Sequence, residues 1–142
     1  MNRIDQKVAI VTGGTQGLGA AIAWQFALSG AKAVFTCGRN VEKGQSVAKN
    51  IQDQTGVPVY FIEADLADIT TCRKLIARCD QNFGRLDVLV NAAGLTDRGN
   101  LLDTSEELFD RMFAINTKAP FFLMQEAVKI MIRESIEGAI VN

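Results

Sequence analysis

The chain has 142 residues, 48% hydrophobic and 22% charged, with a formal net charge of −1. That balance predicts one domain, residues 1–142, with a real core, and removes the electrostatic case for nucleic acid or an anionic membrane. Histidine is absent, which excludes Ser-His-Asp and Cys-His catalysis and histidine ligation of a metal. Three cysteines, Cys37, Cys72 and Cys79, without a C-x-x-C pair, read as reduced, partly buried thiols rather than a disulfide framework or a zinc site. No apolar run approaches a membrane span, and Met1–Lys7 lacks the apolar stretch of a secretory signal, so a cytoplasmic protein is expected.

In chain order, Lys7–Thr12 is a short, continuous apolar run, as expected of a strand covered on both faces. Leu18–Ser29 has helical spacing, with Ile22, Phe26 and Ala27 predicted inward and Gly30 closing the helix. Ala33–Cys37 is a second strand, and Val41 to Thr55 a surface helix with Val47 and Ile51 inward. Pro58–Glu63 is a third strand, and Ile69–Phe83 a helix with Leu75, Ile76 and Cys79 inward. Leu86–Asn91 is a fourth strand. A long helix is predicted from Ser105 to Arg133, capped by Thr104 or Ser105, with Glu106 and Glu107 in its first turn. Gly138–Asn142 opens a fifth strand. This alternation predicts an α/β fold: a doubly wound parallel sheet with helices on both faces, a three-layer Rossmann-like arrangement left incomplete after the fifth strand.

Between the first strand and helix lies Thr12-Gly13-Gly14-Thr15-Gln16-Gly17-Leu18-Gly19. A glycine loop in that context is a pyrophosphate site. Gly13 permits the tight turn, Gly17 lets backbone approach a phosphate, Gly19 lets the helix pack closely, and the helix start supplies N–H groups and positive dipole. The competing reading is a glycine-rich turn without a ligand.

The T-G-x-x-x-G-x-G spacing and three later segments resemble the short-chain dehydrogenase/reductase family. The segments are Ala64-Asp65-Leu66, Asn91-Ala92-Ala93-Gly94 and Ile115-Asn116-Thr117-Lys118. The resemblance implies a cofactor loop at residues 12–19, including Thr15, Gln16 and Leu18, and adenine contacts from Asp65 and Leu66. It also implies cofactor-side positions at Asn91, Ala92 and Gly94, with Ala92 where the family has a second Asn. Asn116 matches the family's catalytic asparagine, which supports a water-linked proton relay. The implied reaction is hydride transfer between a secondary alcohol and a ketone by an NAD(P) oxidoreductase, commonly a homodimer or homotetramer.

An acidic residue at the end of the second strand would hold the ribose hydroxyls and repel a 2′-phosphate. Here Gly38 takes that place and Arg39 follows. Arginine can fork onto a phosphate, so NADP(H) is expected over NAD(H), although Gln16 stands where NADP-preferring relatives often have a basic residue. The alternative for Arg39 is a solvated loop cation. For Asp65 it is a helix cap, a role better suited to Asp68. Asn91, at the end of a buried strand, is expected to tie neighbouring strands together. Pro120 has no N–H for the carbonyl of Asn116, so the helix should bend there and free that carbonyl for a water. The alternative is an asparagine at a proline kink with no catalytic part.

The resemblance also implies a Ser after the fifth strand and a Tyr-x-x-x-Lys pair on the next helix, which these 142 residues do not include. Tyr60, the single tyrosine, sits on the third strand without Lys four positions on, and Ser105 and Ser135 lie in the wrong segments. The expectation is the first part of a longer reductase, inactive alone. The alternative is a dinucleotide-binding fragment or pseudoenzyme, and a third reading is an interaction scaffold. Thr96, Asp97 and Arg98 are candidates for a substrate entrance. The apolar residues of the long helix exceed one stripe, which predicts a second face packed on a partner helix.

Overall fold

The structure is a computed structural model that describes residues 4–142; residues 1–3 of the segment searched for a signal lie outside that range. It contains β1 (Val8–Thr12), α1 (Gly17–Leu28), β2 (Ala33–Gly38), α2 (Val41–Thr55), β3 (Val59–Glu63) and α3 (Ile69–Phe83). These are followed by β4 (Val88–Val90), α4 (Glu106–Phe113), a π-helical turn (Ala114–Lys118), α5 (Ala119–Arg133) and β5 (Ala139–Val141). The strands form one parallel sheet in the order β3-β2-β1-β4-β5. The doubly wound α/β fold is therefore present, with each crossover carrying at least one helix.

Side chains alternate across the pleat, so β1 to β4 feed both cores. Val8, Ile10, Phe35 and Leu89 pack with Cys72, Leu75, Ile76 and Cys79 of α3 and Leu123 and Ala127 of α5. Val11, Val34, Val59 and Val90 pack with Ala23 and Ala27 of α1 and Ala48 and Ile51 of α2. This two-sided burial explains the unbroken apolar run of β1.

The inward face of α1 is the expected one at Ala27 but is otherwise made of smaller residues. Gly19, Ala23 and Ala27 are buried, while Ile22 and Phe26 pack only partly on the flank. Small residues at a four-residue spacing let the helix axis approach the sheet, and the larger ones close the edges. Gly30, at φ +82°, follows the last helical turn and donates to Ala27, as a closing glycine should.

The long helix expected from Ser105 to Arg133 is three segments. Ser105 caps α4 by accepting from Leu108 N–H. Through residues 114–118 the chain widens into a π turn, with Ala119 N–H bonding the carbonyl of Ala114, five residues back. Pro120 lies at the start of α5. The expected proline disruption is thus taken up as a one-turn widening of the helix just before the ring.

The fourth strand, Val88–Val90, is shorter than the expected Leu86–Asn91, and Asp87 just before it carries a buried carboxylate. Asp87 is 2% exposed and its carboxylate accepts from Val8 N–H at 2.9 Å, Arg85 Nε at 2.9 Å and Arg85 Nη2 at 2.6 Å. Lys7 Nζ lies 3.5 Å away. Burial alone would raise this carboxyl, but these donors and charges hold it below the ordinary value. All three cysteines are buried and free. Burial pushes Cys37 and Cys79 up to about 12 and Cys72 to about 11, so none is a thiolate nucleophile near neutral pH.

Candidate cofactor site

Chain direction away from β1 reverses between β2 on one side and β4 on the other. In such sheets the crevice beyond the strands' carboxyl ends is the ligand position. A cleft of about 360 Å³ lies there. Of the expected cofactor residues, Gly13, Thr15, Gln16, Gly17, Leu18, Gly19, Arg39, Asp65, Leu66, Ala92 and Gly94 line it. Asn91 and Asn116 do not. Cys37, Gly38, Ala64, Ala93, Leu95 and Ile115 also line it; the last two were not legible because their side of the wall forms only when the fold brings α4 and its π turn against the loop after β4.

The glycine loop has the geometry its composition demands. Gly13 sits at φ +72°, and a Cβ there would come within 2.9 Å of Ala93 Cα. A Cβ on Gly19 would meet the Gly13 carbonyl oxygen at 2.3 Å, so this glycine permits the close approach of α1 to its own loop. Gly14 N–H donates to the carbonyl of Cys37 at 3.1 Å, tying the loop to β2. Thr12 Oγ1 accepts from Ala93 N–H at 3.0 Å, tying it to the segment after β4.

The start of α1 differs from those of α2, α3 and α4. Asn40, Asp68 and Ser105 cap α2, α3 and α4 with their side chains. Gln16, at the same position of α1, gives no side-chain cap, and the first turn holds no acid. A helix start of this kind keeps donors and positive dipole for an external anion. Gly17 has open space where a Cβ would stand. The cradle therefore fits a pyrophosphate.

Asp65 has the partners of a structural acid as well as a place on the wall. It accepts from Ala67 N–H at 3.1 Å and pairs with Arg111 of α4, Nη2–Oδ2 3.1 Å. Burial pushes its carboxyl up, but the Ala67 N–H, Arg111 and Arg39 outweigh this and hold it low. Asp68, not Asp65, caps α3. Asn91 joins β4 to the end of β5: its backbone N–H donates to Val141 and its Nδ2 to Asn142 Oδ1 at 2.7 Å. Its Oδ1 is buried with no hydrogen-bond partner among the described residues.

Asn116, within the π turn, spends its side chain on the backbone of Leu95. Oδ1 accepts from Leu95 N–H at 2.8 Å and Nδ2 donates to the Leu95 carbonyl at 2.7 Å. This two-point clamp fixes the wall segment that follows Gly94. Thr96, Asp97 and Arg98 are exposed and stand outside the cleft lining.

A parallel sheet of this order, with a glycine loop and an uncapped helix start at the reversal, defines a Rossmann-type nucleotide-binding fold. A family model described as short chain dehydrogenase matches residues 7–142, and the chain belongs to that family. It is 38% identical over 140 residues to elsinochrome reductase 1 of Elsinoe fawcettii, covering 99% of this chain and 51% of that relative. It is 38% identical over 130 residues to versicolorin reductase 1 of Aspergillus parasiticus, covering 92% and 49%. A metagenomic short-chain oxidoreductase solved in complex with NADP superimposes with a TM-score of 0.89 at 33% identity, over 96% of this chain and 61% of that one. L-Sorbose reductase of Gluconobacter frateurii, solved with NADPH and L-sorbose, gives 0.91 at 29% identity, over 96% and 51%. The chain spans about half the length of the curated relatives it matches.

Proposed function

We propose that the protein carrying this chain is an NADP(H)-dependent oxidoreductase that interconverts a secondary alcohol and a ketone. The observation that carries this is the uncapped, acid-free start of α1 facing a cleft with open space at Gly17. NADP(H), when bound, supplies the hydride at nicotinamide C4. The α1 start and residues 13–19 hold the pyrophosphate. Asp65 and Leu66 border the adenine end, and Arg39 meets the 2′-phosphate. The solved relatives that carry NADP or NADPH support this choice of cofactor.

Asn116 contributes in two ways. Its side chain positions Leu95, and its backbone carbonyl, denied an N–H by Pro120, can accept from a water that moves the proton. The seryl, tyrosyl and lysyl groups that complete the chemistry lie outside these 142 residues. The exposed Phe109, Phe113 and Phe121 support assembly into a homodimer or homotetramer. Among the described residues no helix is long and apolar enough to cross a membrane; we place the protein in the cytoplasm.

Titration calorimetry of the full-length protein with NADPH and NADH tests the cofactor, and NADPH oxidation across a panel of ketones tests the reaction. Tighter binding of NADPH with ketone-dependent turnover is the expected result. Binding without turnover would favour a dinucleotide-binding pseudoenzyme, and binding of neither would leave only a scaffold.

A further inference from the structure

The loop position Gln16 is neutral, yet it does not lack a cation. Lys43, in the first turn of α2, reaches across to it, and its Nζ donates to Gln16 Oε1. The two residues are 27 positions apart, so neither advertises the other. Three other lysines are paired with acids instead: Lys7 with Asp87, Lys49 with Asp53, and Lys129 with Glu126. Lys43 is held by a neutral amide, which fixes its position and leaves its charge in place.

Around it lies a second cleft, lined by Thr15, Gln16, Arg39, Asn40 and Lys43. Its lining holds two cations and no carboxylate. Thr15, Gln16 and Arg39 line the cofactor cleft as well, so the two are continuous. Glu42, the neighbouring acid in the first turn of α2, is outside the lining, and Asp65 acts on Arg39 from the cofactor side.

We infer that Lys43 and Arg39 together form a dianion clamp for the 2′-phosphate of NADP(H), with Gln16 as the strut that aims the ammonium. This rests on the cofactor reading above and deepens it. An ammonium has three donors and spends one on Gln16, so two remain for phosphate oxygens. A doubly charged phosphate monoester is better matched by two cations than by one guanidinium. The ligand class is any adenosine with a 2′-phosphate.

The test is calorimetric binding of 2′,5′-ADP, 5′-AMP, NADPH and NADH to the full-length protein, as wild type and as Lys43→Gln, Lys43→Arg and Arg39→Gln. Lys43→Gln should weaken 2′,5′-ADP and NADPH about tenfold, a typical loss for one charge-assisted contact. It should change 5′-AMP and NADH less than about twofold, and Lys43→Arg should restore most of the loss. Wild type without preference for 2′-phosphorylated ligands would overturn the NADP(H) reading and this inference together. A wild-type preference that survives Lys43→Gln intact would overturn the clamp alone. So would an equal loss on all four ligands, which would make Lys43 a support for the loop.

Discussion

Asp87→Asn isolates one buried acid whose every acceptor site is used. The change keeps size and shape but turns one oxygen into an NH2 group facing donors. The carboxylate holds Val8 N–H, two Arg85 donors and the field of Lys7. Orphaning a buried N–H costs about 1–3 kcal/mol. Breaking a fully buried ion pair costs about 3–5 kcal/mol, but Arg85 and Lys7 are 37% and 39% exposed and can turn to water. A net loss of about 2–3 kcal/mol follows, or a fall of about 1–2 M in the urea midpoint. The acid's folded pKa lies below 3.8. Its contribution is therefore complete above that value and disappears as pH drops through the folded pKa. Urea titrations of the full-length wild type and variant at pH 7 and at pH 3 should show the gap narrowing at the lower pH. A gap that is the same at both, or below about 0.5 kcal/mol at pH 7, would refute the reasoning.

Gly38→Asp should invert cofactor choice. The new Cβ stands 2.5 Å from Thr15 Cγ2, so Thr15 must move, and the acid then faces the 2′-phosphate; NADPH binding should drop about a hundredfold relative to NADH in the calorimeter. Asn116→Ala frees both backbone groups of Leu95. Turnover should fall more than about tenfold while the Kd for NADPH changes less than about threefold, since the clamp lies beyond the phosphate cradle. Pro120→Ala supplies an N–H for the carbonyl of Asn116, and a crystal structure of the variant should show residues 114–118 relaxed to α-helix. A π turn that persists would remove the proline as its cause.

Much of this was legible from local pattern. The β1 run, the glycine loop and the Asp68 and Ser105 caps are decided within a few residues of themselves, by burial and by orphaned N–H groups. The pairings that shape the cleft walls are not local. Asp65 meets Arg111 across 46 positions, Asn116 meets Leu95 across 21, and Lys43 meets Gln16 across 27. No periodicity encodes them. The π turn escaped for a different reason. Pro120 announces a missing bond, but whether the chain kinks or adds a residue to the turn depends on what α4 and α5 pack against. On α1 the spacing finds Ala27, which is buried, while Ile22 and Phe26 only flank it, because the helix sits close enough to the sheet that Gly19 and Ala23 take the central places.

The ties between the cleft's walls also bear on how a ligand enters it. Gly14 is bound to β2, Ala93 to Thr12 and Leu95 to Asn116, so each segment bordering the crevice is anchored to a neighbouring element. Ordering one backbone residue costs about 1–2 kcal/mol, and here folding has already met that cost. A dinucleotide arriving at this site finds its contacts preorganised, and the free energy of its charged contacts goes into affinity rather than into freezing the loops.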